Sequence, residues 1–490
     1  MKTEQLKCAN EAVTRDAGKI NPRYRLGYHI MAPANWINDP NGLVQYKGDY
    51  HVFYQHHPYS TKWGPMHWGH VKSHDLVHWK HLPIALAPDT PADCDGCFSG
   101  SAVVDGNELN LIYTGNLFDD EEKTEVDQVQ NRAFSTDGIH FQKDPLNPVI
   151  PKHPECGSGD FRDPKVWKHG HDWYLVAGTS HDKVGKVVLY RSPDLRHWTY
   201  AGIIGQSEGN QGYMWECPDF YELDGKYVLM CSPQGIEAEG DRYQNLYQTG
   251  YFVGDFDYAT GKFTHGGFTE LDNGHNFYAV QSFKDDRGRR IAIGWMNMWE
   301  SPMPEQQDGW AGALTLPREL HLSEKGKMRM TPVDELKQLR VKRMLTLSSV
   351  EVSGTQAFPD LTDELLEIEA TFDLIASNAD TFGLKLRTGK TEETVIRYDV
   401  RERQLILDRS KSGQGVDDGF RRALLPESNQ LKLHIYLDRS SVEVFADDGE
   451  TVMTSRIYPT EENNGVQLFA DDGQVSVKEM SAWRLEDIWA

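Results

Sequence analysis

One signature, Ser-x-Asp-x-x-x-aromatic, keeps returning along this chain. It reads SHDLVHW at Ser73–Trp79, STDGIHF at Ser135–Phe141 and SPDLRHW at Ser192–Trp198, with a degenerate form from Gly254. The steps are 62, 57 and 62 residues. Upstream of each lies a second pattern: a polar or acidic residue, a strand, a glycine turn and an aromatic strand. Asp39, Asp163 and Glu216 head this frame, each 11 residues before a tyrosine (Tyr50, Tyr174, Tyr227). Ser99 heads a neutral copy, and a copy from Tyr278 fits with one residue of slack. Five four-stranded units of about sixty residues predict a five-bladed β-propeller. The first strand of each blade runs along the central axis, so the heads of the frames face one channel. Asp39, Asp163 and Glu216 are therefore expected to share a pocket. The plainer alternative is that Asn38-Asp39-Pro40-Asn41-Gly42 and its counterparts are turn chemistry serving the fold.

The expected fold class is all-β. Residues 1–27 read as a helical extension, 28–325 as the propeller, 326–345 as a linker with a helical-looking Val333–Arg340, and 346–490 as a β-sandwich of alternating strands. A net charge of −23 argues against nucleic acid and anionic membranes as partners. No apolar run reaches the roughly 18 residues of a membrane span. The N-terminus MKTEQLKCANEAVTRDAGK lacks the apolar core of a signal peptide, so a cytoplasmic protein, monomer or homodimer, is expected. Cys94 and Cys97 form a C-x-x-C without a second pair, and no metal or cofactor is expected. The 13 tryptophans and 21 tyrosines offer faces on which sugar rings stack, although sheet packing also uses them.

Converging carboxylates without a metal-ligand cluster suit glycoside cleavage, in which one attacks or activates water and another protonates the leaving oxygen. Glu216, beside Tyr213, Met214 and Trp215, sits in apolar sequence that disfavours ionisation, as an acid requires. Asp39, between the amides of Asn38 and Asn41, suits an ionised nucleophile. Asp163 follows Arg162, which should keep it ionised for binding sugar hydroxyls.

The motifs WINDPNG (36–42), FSGSA (98–102), FRDP (161–164), WECPDF (215–220) and GWM (294–296) resemble the β-fructosidase (invertase) family of glycoside hydrolases, family 32, over nearly the whole chain. The resemblance implies a retaining double displacement on a fructosyl unit. Asp39 would be the nucleophile, Glu216 the acid/base and Asp163 the stabiliser of the transition state. Asn38, Gln55, Trp63, Phe98, Ser99, Arg162, Tyr278 and Trp295 would line the fructose pocket. A narrower resemblance, to bacterial sucrose-6-phosphate hydrolases, lies in FYQHHPYSTKWGPMHWGHVKSHDLVHW (53–79), SPQGIEAEG (232–240), TELDNGHNFYAVQSF (269–283) and GWMNMWESPMP (294–304). It implies sucrose 6-phosphate as substrate; its motifs do not name the phosphate contacts, which are expected from the blade loops facing the pocket, among His56, His57, Lys62, His67 and Arg242, and first among His57, Lys62 and Arg242. Plain sucrose or short fructans are the alternative substrate. A non-catalytic sugar-binding propeller and an inverting glycosidase for other sugars are the competing functions.

Overall fold

The computed structural model describes residues 3–118, 125–416 and 419–490. Five antiparallel sheets follow one another around an axis, each starting with its innermost strand: Asn35–Tyr46, Cys97–Asp105, Phe161–His169, Met214–Leu223 and Tyr278–Lys284. The four strands of each blade follow one another in the chain, except that the fifth blade passes over Trp310–Ala311 between its second and third strands. The ring closes where Trp310–Ala311 adds in parallel to Asn35–Trp36 of the first blade. The recurring Ser-x-Asp signature is the turn before the outermost strand. In the first blade, Asp75 Oδ1 accepts the amides of Val77 and His78, and Ser73 Oγ donates to the same carboxylate. Asp137 and Asp194 repeat this. The short side chain replaces missing ladder bonds, which is why the repeat keeps Ser and Asp.

The helix Glu4–Ala17 is capped by Thr3 and buries Ala9 and Ala12. Asn10 Oδ1 accepts the amide of Ile84 in the first blade's outermost strand, Trp79–Leu86, so the helix covers that edge.

The stretch expected as a linker, 326–345, carries structure of its own. Met328–Pro332 is the outermost strand of the fifth blade, Asp334–Leu339 is a 3-10 helix, and Arg340 opens the first strand of the second module. Its charges had marked it as a connector. Met328, Met330, Val333, Leu336 and Leu339 are nonetheless buried in the core shared by the two modules. In the second module, two long strands, Arg340–Thr362 and Gly465–Leu485, pair along their length and bend from one layer into the other. Gly465–Leu485 pairs with Leu366–Asp373 near its C-terminal end and with Thr381–Thr388 near its start. The result is a β-sandwich whose own core holds Ile368, Phe382, Leu407 and Val444. Tyr436, Phe445, Val452 and Leu485 of the sandwich pack into the propeller's core.

Candidate active site

Each innermost strand departs from regular pairing near one end of the channel. Asn38-Asp39 face the single residue Gln55, Phe98-Ser99 face Thr114, Asp163-Pro164 face Ala177, Cys217-Pro218 face Cys231, and Ala279-Val280 face Gly294. Such bulges re-aim side chains. They correct the expectation that the three acids hold one equivalent position. Asp39 is the second bulge residue of its strand, Asp163 the first of its own, and Glu216 the paired residue just before the bulge. The 11-residue spacing conceals this offset because an extra irregularity between Asn41 and Val44 lengthens the first strand, and because Tyr174 lies one pair further from its turn than Tyr50 and Tyr227 do.

The acids nevertheless meet at one cavity of about 400 Å³, lined also by Asn38, Gln55, Trp63, Phe98, Ser99 and Arg162. Asp39 is enclosed by uncharged donors. Ser99 Oγ donates to Oδ2 (2.7 Å) and Asn38 Nδ2 to Oδ1 (2.9 Å), while Trp36 Nε1 donates to Asn38 Oδ1 and fixes that amide. Cys217 ties two acids together: its amide donates to Asp163 Oδ2 (2.8 Å), and its Sγ lies 3.5 Å from Asp39 Oδ2 and 3.6 Å from Asp163 Oδ2. Asp163 holds a left-handed backbone, φ +64°, at its bulge. Burial, and after it the like negative charge of Glu216, raises the pKa of Asp39 despite the Ser99 and Asn38 donors. Burial also raises that of Asp163, which lies between Glu216 and Asp39; Arg162 only partly offsets this. Both findings correct the expectation that local sequence neighbours would hold these acids readily ionised. Enclosure outweighs the nearby dipoles and the nearby cation.

Glu216 is not in an apolar niche either. Successive strand side chains point to opposite faces, so Trp215 is buried between blades while Glu216 faces the channel. Its Oε1 pairs with Arg162 (3.0 Å), and its Oε2 accepts from Gln234 Nε2 (2.8 Å) and from the Tyr278 hydroxyl. Arg162 also donates to Asp160 Oδ1 (2.8 Å).

Two expected pocket residues stand behind the wall. Tyr278 is 1% exposed and reaches the site through its hydroxyl; Trp295 is fully buried beneath Trp36 and Trp299. The expected phosphate groups are not in the described lining. His56 and His67 are buried, each held by a backbone carbonyl, and burial lowers their pKa values to about 4 and about 3. His57 Nδ1 bonds the carbonyl oxygen of Lys62 outside the cavity. Arg242 stacks on Tyr243 and lines another cleft, beside Asp241 and Arg422. Sequence reasoning missed Gln128, Asp160, Gln234, Tyr247, Trp299 and Glu300 as lining residues. Asp160 lies two residues before Arg162, and Gln234 and Trp299 sit inside motifs already singled out, so proximity to those motifs was the available signal.

A five-bladed propeller that gathers carboxylates and amide donors at one mouth of its channel, with tryptophan at the rim, defines a glycoside hydrolase. The chain belongs to glycosyl hydrolase family 32: the family's N-terminal domain matches residues 29–332 and its C-terminal domain residues 335–484. Among its relatives, a sucrose-6-phosphate hydrolase of Zymomonas mobilis is 43% identical over 97% of this chain and 96% of its own length. A raffinose invertase of Escherichia coli is 40% identical over 98% of this chain and 99% of its own. The solved family 32 β-fructofuranosidase of Bombyx mori superposes with a TM-score of 0.87 at 39% identity, covering 99% of this chain and 98% of that one; a variant of it has been solved in complex with sucrose.

Proposed function

We propose that the chain is a retaining β-fructofuranosidase that hydrolyses sucrose 6-phosphate to fructose and glucose 6-phosphate inside the cell. The observation that carries the hydrolase reading is the contrast between two acids of one cavity. Asp39 is set among uncharged donors and Glu216 among Arg162, Gln234 and Tyr278. In the first step an Asp39 oxygen attacks the anomeric carbon of fructose. The bond to the leaving oxygen breaks, and that oxygen takes the proton of Glu216. In the second, water gives a proton to Glu216 and its oxygen replaces Asp39 on the anomeric carbon. Asp163, with Cys217 on one oxygen, holds fructose hydroxyls and offsets the positive charge that develops on the ring.

Tyr278 lets Glu216 work in both states. Its hydroxyl lies within reach of Glu216 Oε2 and, at 3.0 Å, of the carbonyl oxygen of Ser232. A hydroxyl has one proton to donate and can also accept. Towards ionised Glu216 it donates; when Glu216 carries the proton, the tyrosine turns its own to Ser232.

The sucrose-6-phosphate hydrolase names of relatives that match almost the full chain support the phosphorylated substrate. One observation favours plain sucrose as a second reading. Among the described lining residues Arg162 is the single cation, and it is engaged by Glu216 and Asp160, whereas a phosphate calls for free donors or charge. Initial rates on sucrose 6-phosphate and on sucrose, both well below saturation, decide between them, with Glu216→Gln as the control. Preference for the phosphate supports the first reading, and preference for sucrose the second. Loss of the anomeric configuration in the first-formed fructose would refute the double displacement.

A further inference from the structure

The sandwich does not merely sit beside the propeller. Its strand Thr451–Arg456 runs along 272–276, the segment that leads directly into Tyr278. The amide of Asn273 donates to the carbonyl of Val452 (2.8 Å) and that of Asn276 to Thr454 (3.0 Å). In return, Thr454 donates through its amide and its hydroxyl to the two oxygens of Asp272 (2.9 and 2.6 Å). The backbones approach so closely that a Cβ on Gly274 would lie 2.1 Å from the Thr454 carbonyl oxygen, so only glycine fits there.

Asn276 is the crossing point. It is 1% exposed. Its Oδ1 accepts from Arg409 Nη1 (2.6 Å) and from the amide of Arg456 (2.9 Å), both in the sandwich. The same Arg409 nitrogen donates to the Arg456 carbonyl, locking the clamp (2.8 Å). On its other side, Asn276 Nδ2 donates to Asn297 Oδ1 (3.3 Å), which also accepts the amide of Met298 at the start of the turn carrying Trp299 into the cavity. Two residues after Asn276, Tyr278 donates to Glu216. One buried amide therefore joins the sandwich to the group that touches the acid and to the loop that carries a rim tryptophan.

We propose that Asn276 is a positioning residue for the hydrolysis, gripped by Arg409 and Arg456 of the sandwich so that Tyr278 is set against Glu216. The proposal rests on the assignment of Glu216 as the acid/base. It gives the second module a part in catalysis: the sandwich fixes the fifth blade's innermost strand at the height where its tyrosine meets the acid of the fourth. A hydroxyl displaced by a fraction of an ångström no longer shares its proton correctly, and positioning losses of this kind fall on turnover.

The test is a double-mutant cycle of Asn276→Ala and Tyr278→Phe on the full chain, with kcat and KM measured separately on sucrose and sucrose 6-phosphate. Asn276→Ala is expected to lower kcat about tenfold while KM changes by less than about threefold. In the Tyr278→Phe background it is expected to lower kcat by less than about twofold, because the group it positions is gone. Asn276→Asp keeps the acceptor for Arg409 and Arg456 and is expected to restore at least half the wild-type kcat. It also serves if the alanine variant fails to fold. Full additivity of the two single losses, an effect confined to KM, an Asn276→Asp variant as slow as the alanine variant, or a Tyr278→Phe enzyme with unchanged kcat each overturns the proposal. A Glu216→Gln enzyme at the wild-type rate refutes the acid assignment beneath it, and that result is distinct from every outcome of the cycle.

Discussion

Arg162 turns away from Asp163, its neighbour in the chain, and places its guanidinium 3.0 Å from Oε1 of Glu216 in the next blade. The bulge that begins at Asp163 sends the two side chains to different partners: Asp163 to the amide of Cys217, Arg162 to Glu216 and Asp160. The arginine thus braces the candidate acid against the rim.

That brace depends on a planar fork. Arg162→Lys retains the charge but cannot hold Glu216, Asp160 and the Gln128 side chain together. We expect kcat to fall by about a hundredfold with a smaller change in KM. Steady-state kinetics on either sucrose substrate check this, and an unchanged kcat would show that the fork does not orient Glu216.

Burial raises the pKa of Asp163 above its ordinary value, and the charges of Glu216 and Asp39 add to this, against Arg162. A carboxyl whose folded pKa exceeds its unfolded one weakens the fold once ionised; the stability it lends is complete below the unfolded value of about 3.9 and lost as pH rises through the folded value. Asp163→Asn should therefore raise the melting temperature at pH 8. The gain should shrink as the pH is lowered towards 4. Inactivity of this variant is expected as well, so stability is gained where function is lost. Melting curves over that range would contradict the assignment if the gain grew on acidification.

His29 is fully buried between Asp438 (2.8 Å from Nδ1) and Glu443 (2.8 Å from Nε2) of the sandwich. Burial opposes its charge, but the two carboxylates outweigh burial and raise its pKa. The stability this ion cluster gives is complete below the unfolded histidine value of about 6.5 and is lost as pH rises through the folded one. His29→Gln strands two buried acids, although Arg318 still pairs with Glu443. A loss of about 3–5 kcal/mol is expected at pH 6. The loss should be smaller at pH 9, as denaturant titrations at the two values will show.

Arg242 faces a cleft separate from the carboxylates, and Lys62 is absent from the described lining of their cavity. Arg242→Ala and Lys62→Ala should each leave the ratio of kcat/KM for sucrose 6-phosphate over sucrose within about twofold of the wild type. A collapse of that ratio in either variant would place the phosphate against that residue.

The propeller was legible because its turns repeat. Ser73, Ser135 and Ser192 with their aspartates announce the same hairpin three times, and alternating strands announce the sandwich. Asp39, Asp163 and Glu216 could be singled out because each opens a blade. Their partners could not be read the same way. Asn276 and Arg409 are 133 residues apart and meet only when the two modules dock. Nor did the charged stretch 326–345 reveal that it completes the fifth blade, since its apolar residues are spaced among lysines and acids.

The sequence by itself determined the blade count, the sandwich and the family, and it singled out three candidate acids. The blades and the sandwich follow from local turn chemistry and period-two patterning, which act over a few residues and repeat; the family follows from the resemblance of its motifs. Only the tertiary structure decided how each acid is surrounded. The bulges shift Asp39, Asp163 and Glu216 to successive positions around the channel, give Arg162 to Glu216 rather than to Asp163, and withdraw Tyr278 and Trp295 behind the wall. Ionisation and orientation depend on burial and on charges brought together from separate blades, and chain neighbours do not encode those distances.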